Sequence, residues 1–360
     1  KGALPSQMIE SLVDGSFIQG ADKKNIQPSS LDLTLSEEVY RVERLFLPRE
    51  GETVRTLLAS IGSDPHDLKS PMERGVTYLA RLNETLALPS DVYALSNPKS
   101  TTGRNDIDAR VLSDGSSRYD EMMPGGWRGE LWVAISPKSY PIKVAFGHSL
   151  VQLRLFSGNT RLDNLELSVA LQKDGLIYGA AGTKLIRETL SIPPFDGLVT
   201  LTLDLSGDVP GYLSTQPSRV VDLSKAGGYR AGDFFEPLQR HNDSISLEEG
   251  KFYIISTAEK VRVPPEFACE MKSMDDRYGE FRAHYAGFID PGWGWGTAGE
   301  GTGRPLTLEV RPFENLEVRQ GQAIARIGFE RMSEVPERIY DAISSNYLIQ
   351  SGPRLGKQFT

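Results

Sequence analysis

One cysteine, Cys269, in a chain of 360 residues excludes an internal disulfide framework and fits a reducing, cytoplasmic setting. Histidine is nearly as scarce: His66, His148, His241 and His284 stand far apart. A zinc centre of the kind built from one His or Cys with a Cys-x-x-Cys pair cannot be assembled from them. No stretch approaches the roughly 18 consecutive apolar residues of a membrane-spanning helix. The opening Lys1-Gly2-Ala3-Leu4-Pro5 lacks the apolar run of a signal peptide. Basic residues are outnumbered, 40 against 48 acidic, for a net charge of −8. That balance argues against broad, salt-driven binding to nucleic acid, although local Arg, Lys or backbone N–H groups can still hold a small polyanion.

The length exceeds the roughly 100–200 residues of one domain, so two are expected. An internal repeat supports this. Gly75–Pro89 and Gly250–Pro264 run in parallel at one constant offset, with Tyr78 matching Tyr253 and Glu84 matching Glu259. Further on, Lys99-Ser100 and Arg104 answer to Lys272-Ser273 and Arg277, and Gly126-Trp127 to Gly292-Trp293. Gly147 and Gly321 each precede an alternating run, Leu150–Phe156 and Ile324–Phe329. The expected division is a first repeat over 1–165, a connection over 166–195 and a second repeat over 196–360.

Strand signals dominate. Leu201, Leu203 and Leu205 alternate with polar residues, as do Leu306, Leu308 and Val310, the pattern of half-buried strands. The 35 glycines and 22 prolines punctuate the chain at short intervals, which favours short strands over long helices. Two helices are expected: one capped by Ser6, carrying Met8, Ile9, Leu12 and Val13 and stopping near Gly15, and one over about 336–344 with Ile339 and Ile343 on one face.

Four segments carry a family resemblance. Gln27-Pro-Ser-Ser-Leu-Asp32-Leu33 and Asn97-Pro-Lys-Ser-Thr-Thr-Gly-Arg104 resemble the first two motifs of the dCTP deaminase and dUTPase superfamily. His284-Tyr-Ala-Gly-Phe-Ile-Asp-Pro-Gly-Trp293 resembles the third, and Leu306-Thr-Leu-Glu309-Val310 is similar to the deaminase strand bearing an essential glutamate. The order of motifs resembles the long, two-repeat bacterial dCTP deaminases. This implies a mainly β fold: two tandem dUTPase-like distorted barrels, jelly-roll-like, with a few short helices. It also implies hydrolytic deamination of dCTP to dUTP and ammonia, feeding dUMP and dTTP synthesis.

Deaminating cytosine at C4 requires water to lose a proton and the leaving amine to gain one, and a single buried carboxylate can do both. The resemblance assigns that role to Glu309, without a metal. Periodicity alone leaves open a solvent-facing Glu on an edge strand. Ser100 and Arg104 follow Pro98 in a turn-like segment, where hydroxyl and guanidinium can hold phosphate oxygens or the catalytic water; an ordinary capped turn with a surface Arg is the plain alternative. Lys99 is a weaker candidate for the same grip. The resemblance has Asp290 accept a hydrogen bond from the sugar 3′-hydroxyl, with backbone around Ala286 reading the base and Trp293 alongside. Asp290 is otherwise a turn-former. Tyr285 packs either on the deoxyribose or in the core. Tyr347 and Gln350 are similar to the tail that closes over the triphosphate, but Asn346 stands where a basic residue is expected and Lys357 is the possible substitute.

Aligned by the repeat, Glu309 falls opposite Ala134, so the first repeat has no general base, while the second carries Asp275 and Asp276 where a triphosphate would be unwelcome. Composite sites are therefore expected: Ser100 and Arg104 from a first repeat with Asp290 and Glu309 from a second. The rival is a second repeat working alone with Ser273 and Arg277. The Gly-rich run Gly294–Gly303 lacks the Gly-Lys-Ser/Thr ending of a phosphate loop and is expected to be a flexible hairpin loop near the site. No protein-held cofactor is expected; Mg²⁺ would arrive on the nucleotide. The expected partners are dCTP, dUTP as product, dTTP as regulator and further copies of the chain in a trimer. A dUTP diphosphatase or an enzyme of both steps, and a nucleotide-binding protein without catalysis, are the other readings.

Overall fold

The computed structural model describes residues 1–193, 196–272, 274, 276–278, 281–283, 287–343 and 351–360, the side chains of 276 and 281–283 excepted. They form two compact units, one of Lys1–Asn159, Gln216–Arg230 and Gly356–Thr360, the other of Thr160–Thr215 and Ala231–Leu355. Both are mainly antiparallel β-structure with few helices, so the expected fold class holds. Among the described residues no helix is long and apolar enough to cross a membrane.

Unit 1 opens with helix α1 (Ser6–Asp14), ended by Gly15 as expected, although Ser6 is its first residue and not its cap. Strands β1 (Leu31–Leu33), β2 (Leu35–Val42), β3 (Thr77–Ala87), β4 (Val92–Pro98), β5 (Ile107–Ser113), β6 (Arg128–Pro137) and β7 (Val151–Ser157) follow, with helices α2 (Val54–Ile61) and α3 (Ser100–Arg104) between them. One sheet contains the order β2-β3-β6-β5; in the other, β7 pairs with both β1 and β4.

Unit 2 begins with helix α4 (Asn164–Lys173), whose start is a capping box: Asp163 accepts from the Glu166 N–H and Glu166 from the Asp163 N–H. Leu167 and Leu171 of α4 and Ile177 beyond it belong to this unit's apolar core. Its strands are β8 (Val199–Thr202), β9 (Tyr212–Ser214), β10 (Tyr253–Val261), β11 (Phe267–Lys272), β12 (Phe281–Ala283), β13 (Phe288–Ile289), β14 (Arg304–Pro312) and β15 (Ala323–Arg331). One sheet contains β9-β10-β14-β12 and the other is β8-β15-β11-β13, matching the strand plan of unit 1. The expected helix near 336–344 is only a 3-10 turn, Tyr340–Ala342, between extended Ile339 and Ile343. Tertiary bonds override its periodicity: the Tyr340 N–H is spent on Pro291 O, and the Asp341 carboxylate on Arg304, at 2.6 and 2.8 Å.

The repeat is visible bond by bond. Gly75 N–H donates to Pro137 O at 2.8 Å and Gly250 N–H to Pro312 O at 2.9 Å. The Tyr78 hydroxyl accepts from the Glu73 N–H at 3.0 Å, and that of Tyr253 from the Glu248 N–H at 2.8 Å. Glu84 accepts from Thr34 N–H and Oγ1 at 2.9 and 2.8 Å; Glu259 accepts from Thr202 N–H and Oγ1 at 2.7 and 2.8 Å. Glu84 thereby holds the residue just before β2, and Glu259 the last residue of β8.

Glu84 is fully buried, and burial pushes its carboxyl from the ordinary 4.5 up to about 6, against the pull of the Thr34 bonds. Folding therefore favours the protonated form. Stability attributable to this group falls as pH rises from 4.5 to about 6, by on the order of 2 kcal/mol, and is level above that. A Glu84→Gln protein should lose this slope. Unfolding midpoints of both proteins across that range test it; parallel curves would refute the assignment.

Candidate active site

Alternation on β14 sends Leu306, Leu308 and Val310 into the core of unit 2 beside Tyr253 and Ile255. Thr307, Glu309 and Arg311 thus share the opposite face. β14 is an inner strand between β10 and β12, and Glu309 stands opposite Ile254 at 2% exposure. The alternative of a solvent-facing Glu at a sheet edge is therefore ruled out. A carboxylate buried on an inner strand is costly, and such positions are enriched in functional groups.

Unit 1 shows what the same face looks like without a carboxylate. Tyr78 pairs with Ile135 and Leu79 with Ala134, as Tyr253 pairs with Val310 and Ile254 with Glu309. The pairing register thus gives the same Ala134–Glu309 equivalence as the repeat. Ala134, Trp132, Leu79 and Leu112 pack with Val54 and Leu58 of α2 in one apolar cluster. Arg55 pins the helix from outside, bonding Glu38 at 2.8 Å and Glu130 at 3.1 Å with its guanidinium 5.3 Å from the Trp132 ring centroid. Helix α2 therefore fills the space over the strand position that bears Glu309 in unit 2. Sequence reading missed α2 despite a signal: Thr53, which caps the Thr56 N–H at 3.1 Å, precedes an apolar pair and a stopping Gly62.

Ser100 and Arg104 begin and end the single turn of α3, directly after β4 leaves its sheet. The Lys99 N–H and the Thr102 hydroxyl both donate to Leu150 O, at 3.0 and 2.7 Å, which fastens the turn to the head of β7. Arg104 is 3% exposed, so it is no surface arginine. The Lys99 ammonium engages Asp32, which also accepts from Gln27 at 3.5 Å, so the first two motifs meet in unit 1.

Glu309, Asp290 and Trp293 all lie in unit 2. Asp290 is half-buried in the turn after β13, its carbonyl accepting from the Trp293 N–H at 3.2 Å. That turn demands glycine at 292: φ is +91° and a Cβ there would come within 2.6 Å of Ile339. Trp293 belongs to the core cluster, its ring 5.1 Å from Tyr340, and its Nε1 has no partner among the described residues. Arg277 is exposed in a short 3-10 turn. Ser273, Asp275, Tyr285, Ala286, Asn346, Tyr347 and Gln350 lie outside the described residues.

The Gly-rich run is not a phosphate loop. Its N–H groups are taken by the protein's own carboxylates: Glu300 accepts from Thr297 and Ala298 at 3.0 and 2.8 Å, and Asp341 from Gly296 at 2.8 Å. Backbone bonds hold the Glu300 carboxyl down at about 2. Arg262 stacks 3.9 Å from the Trp295 ring centroid and donates to Gly299 O at 2.9 Å. The expected flexible loop is a tied one.

Two copies of a dUTPase-like β unit, one holding a buried carboxylate where the other holds alanine, define a tandem-repeat protein of the dUTPase-like class. The 2'-deoxycytidine 5'-triphosphate deaminase N-terminal domain matches residues 1–159 and the C-terminal domain of the same family residues 172–359. The chain belongs to the 2'-deoxycytidine 5'-triphosphate deaminase family. Its structure is similar to that of 2'-deoxycytidine 5'-triphosphate deaminase from Agrobacterium tumefaciens, with a TM-score of 0.84, 35% identity and coverage of 93% of this chain and 99% of that one. A "dCTP deaminase, dUMP-forming" from Beutenbergia cavernae is 33% identical over 118 residues, 31% of this chain and 57% of that protein's length.

An Ala134→Glu substitution should not create a second site, because α2 already occupies the face. It should destabilise unit 1 by several kcal/mol, on the order of an unpaired buried charge. Thermal unfolding measures this; an unchanged midpoint together with more ammonia per chain would contradict it.

Proposed function

We propose that the chain hydrolyses dCTP to dUTP and ammonia, with Glu309 as general base and then general acid. Glu309 takes a proton from water as the oxygen attacks C4 and delivers it to the amino nitrogen as the C4–N bond breaks. The observation that carries this reading is the burial of Glu309 on an inner strand of unit 2, at a position where unit 1 has alanine under a helix. Family membership supports the substrate. Ser100 and Arg104 hold phosphate oxygens or the water, Lys99 assists, and Asp290 accepts from the 3′-hydroxyl. Mg²⁺ travels with the triphosphate as a hard cation does.

A Glu309→Gln protein should keep its fold and lose ammonia release by roughly 10²–10⁴-fold. Undiminished release would remove the base from the mechanism. Arg104→Ala against Arg277→Ala decides which repeat grips the phosphates: loss only in the latter would make the second repeat self-sufficient.

A second reading comes from the dUMP-forming relative: the chain also releases pyrophosphate, a carboxylate-activated water attacking phosphorus. Ammonia and pyrophosphate counted together from dCTP separate the two. Equal yields would establish both steps, and ammonia alone would leave deamination.

A further inference from the structure

Asn105, which ends α3, is the hub of a buried polar cluster in unit 1. Its side-chain amide donates to Thr101 O at 2.7 Å and to Gln358 Oε1 at 3.0 Å, and its Oδ1 accepts from the Tyr140 hydroxyl at 3.1 Å. Both amide donors are thereby used, and the carbonyl has a partner as well. Gln358 is fully buried, and its own amide donates to Leu223 O at 2.9 Å. The chain around Gln358 is held at two further points, Gly227 N–H donating to Lys357 O at 2.8 Å and Tyr229 N–H to Gln358 O at 3.1 Å. Gly356 permits the approach, since a Cβ there would meet Asn105 Nδ2 at 2.9 Å. Phe359 closes the cluster with its ring 6.1 Å from that of Tyr140.

Residues 356–360 fall within the match to the C-terminal family domain for all but the last residue, yet they pack in unit 1. Among what they touch there is Asn105, at the end of the turn that carries Ser100 and Arg104. The Thr101 carbonyl lies between those two side chains in sequence, and its direction is set by Asn105, which in turn is set by Gln358 and Tyr140. A one-turn helix cannot hold its own geometry, because its few internal bonds do not offset the entropy of ordering it. Its shape is imposed by Leu150 on one side and by the Asn105–Gln358 pair on the other.

We propose that Asn105 and Gln358 are positioning residues for the reaction: they hold the backbone of α3 so that Ser100 and Arg104 meet the nucleotide in productive geometry. This rests on the reading of Ser100 and Arg104 as substrate-gripping groups. A displacement of such a turn by about 1 Å is enough to cost on the order of 10²-fold in rate.

The test uses the full chain with dCTP as substrate. Gln358→Ala, Asn105→Ala, their double variant and Tyr140→Phe are compared for kcat, KM and unfolding midpoint. Tyr140→Phe is the mild probe, since it removes one hydroxyl and keeps the ring. The expected result is a fall in kcat/KM of about tenfold or more in each single variant at temperatures where it is fully folded, with the double variant no worse than the weaker single. Wild-type kcat and KM in folded Tyr140→Phe and Gln358→Ala proteins would overturn the proposal, as would multiplication of the two single losses in the double variant. Ser100→Ala and Arg104→Ala run alongside. Full activity in those two would mean that the reading of α3 itself had failed. Inactivity there beside wild-type behaviour of the Gln358 variant would sink the positioning role alone.

Discussion

The pairing register of the two long inner strands governs everything at the candidate site. Because side chains alternate, a slip of one residue between Tyr253–Val261 and Arg304–Pro312 would turn Glu309 into the apolar core and Leu308 out of it. The register is held from several points at once. Leu306, Leu308 and Val310 are buried on one face, Gly250 and Pro312 close the hairpin-like end, and Tyr253 ties back to Glu248. The same devices hold the equivalent strands of unit 1.

Unit 1 takes the other course with the same plan. Its strand position 134 carries alanine, and a helix brings Val54 and Leu58 onto it. Apolar burial there is worth about 25 cal/mol per Å² and needs no partner for a charge. One unit thus covers this face with apolar packing, and the other places a buried carboxylate on it. The second unit carries the carboxylate, while the first carries the turn with Ser100 and a buried Arg104.

Much of this was legible in the chain. Alternating Leu and Val, and Gly–Pro punctuation, gave a mainly β fold; helix α1 was visible in its apolar spacing. The matches of Tyr78 with Tyr253 and Glu84 with Glu259 mark real bonds, since each pair makes the same contact in its own unit. Less legible were the elements decided by neighbours far away in sequence. The periodicity near Ile339 and Ile343 suggested a helix, but Pro291 takes the Tyr340 N–H that a helix would use, while Arg304 and Gly296 hold the Asp341 carboxylate. The Gly-rich run looked loose, yet Glu300, Asp341 and Arg262 tie it down.

Local order along the chain therefore determined the strands, the duplication, the family motifs and the alignment of Glu309 with Ala134, because these depend on side-chain period and on short-range bonds. Only the tertiary structure decided that Glu309 is buried on an inner strand, that α2 fills the matching face of unit 1, and that Gln358 is locked beside the turn carrying Ser100 and Arg104. Burial and long-range hydrogen bonds depend on which distant residues fold over a position, and no window of sequence contains both partners.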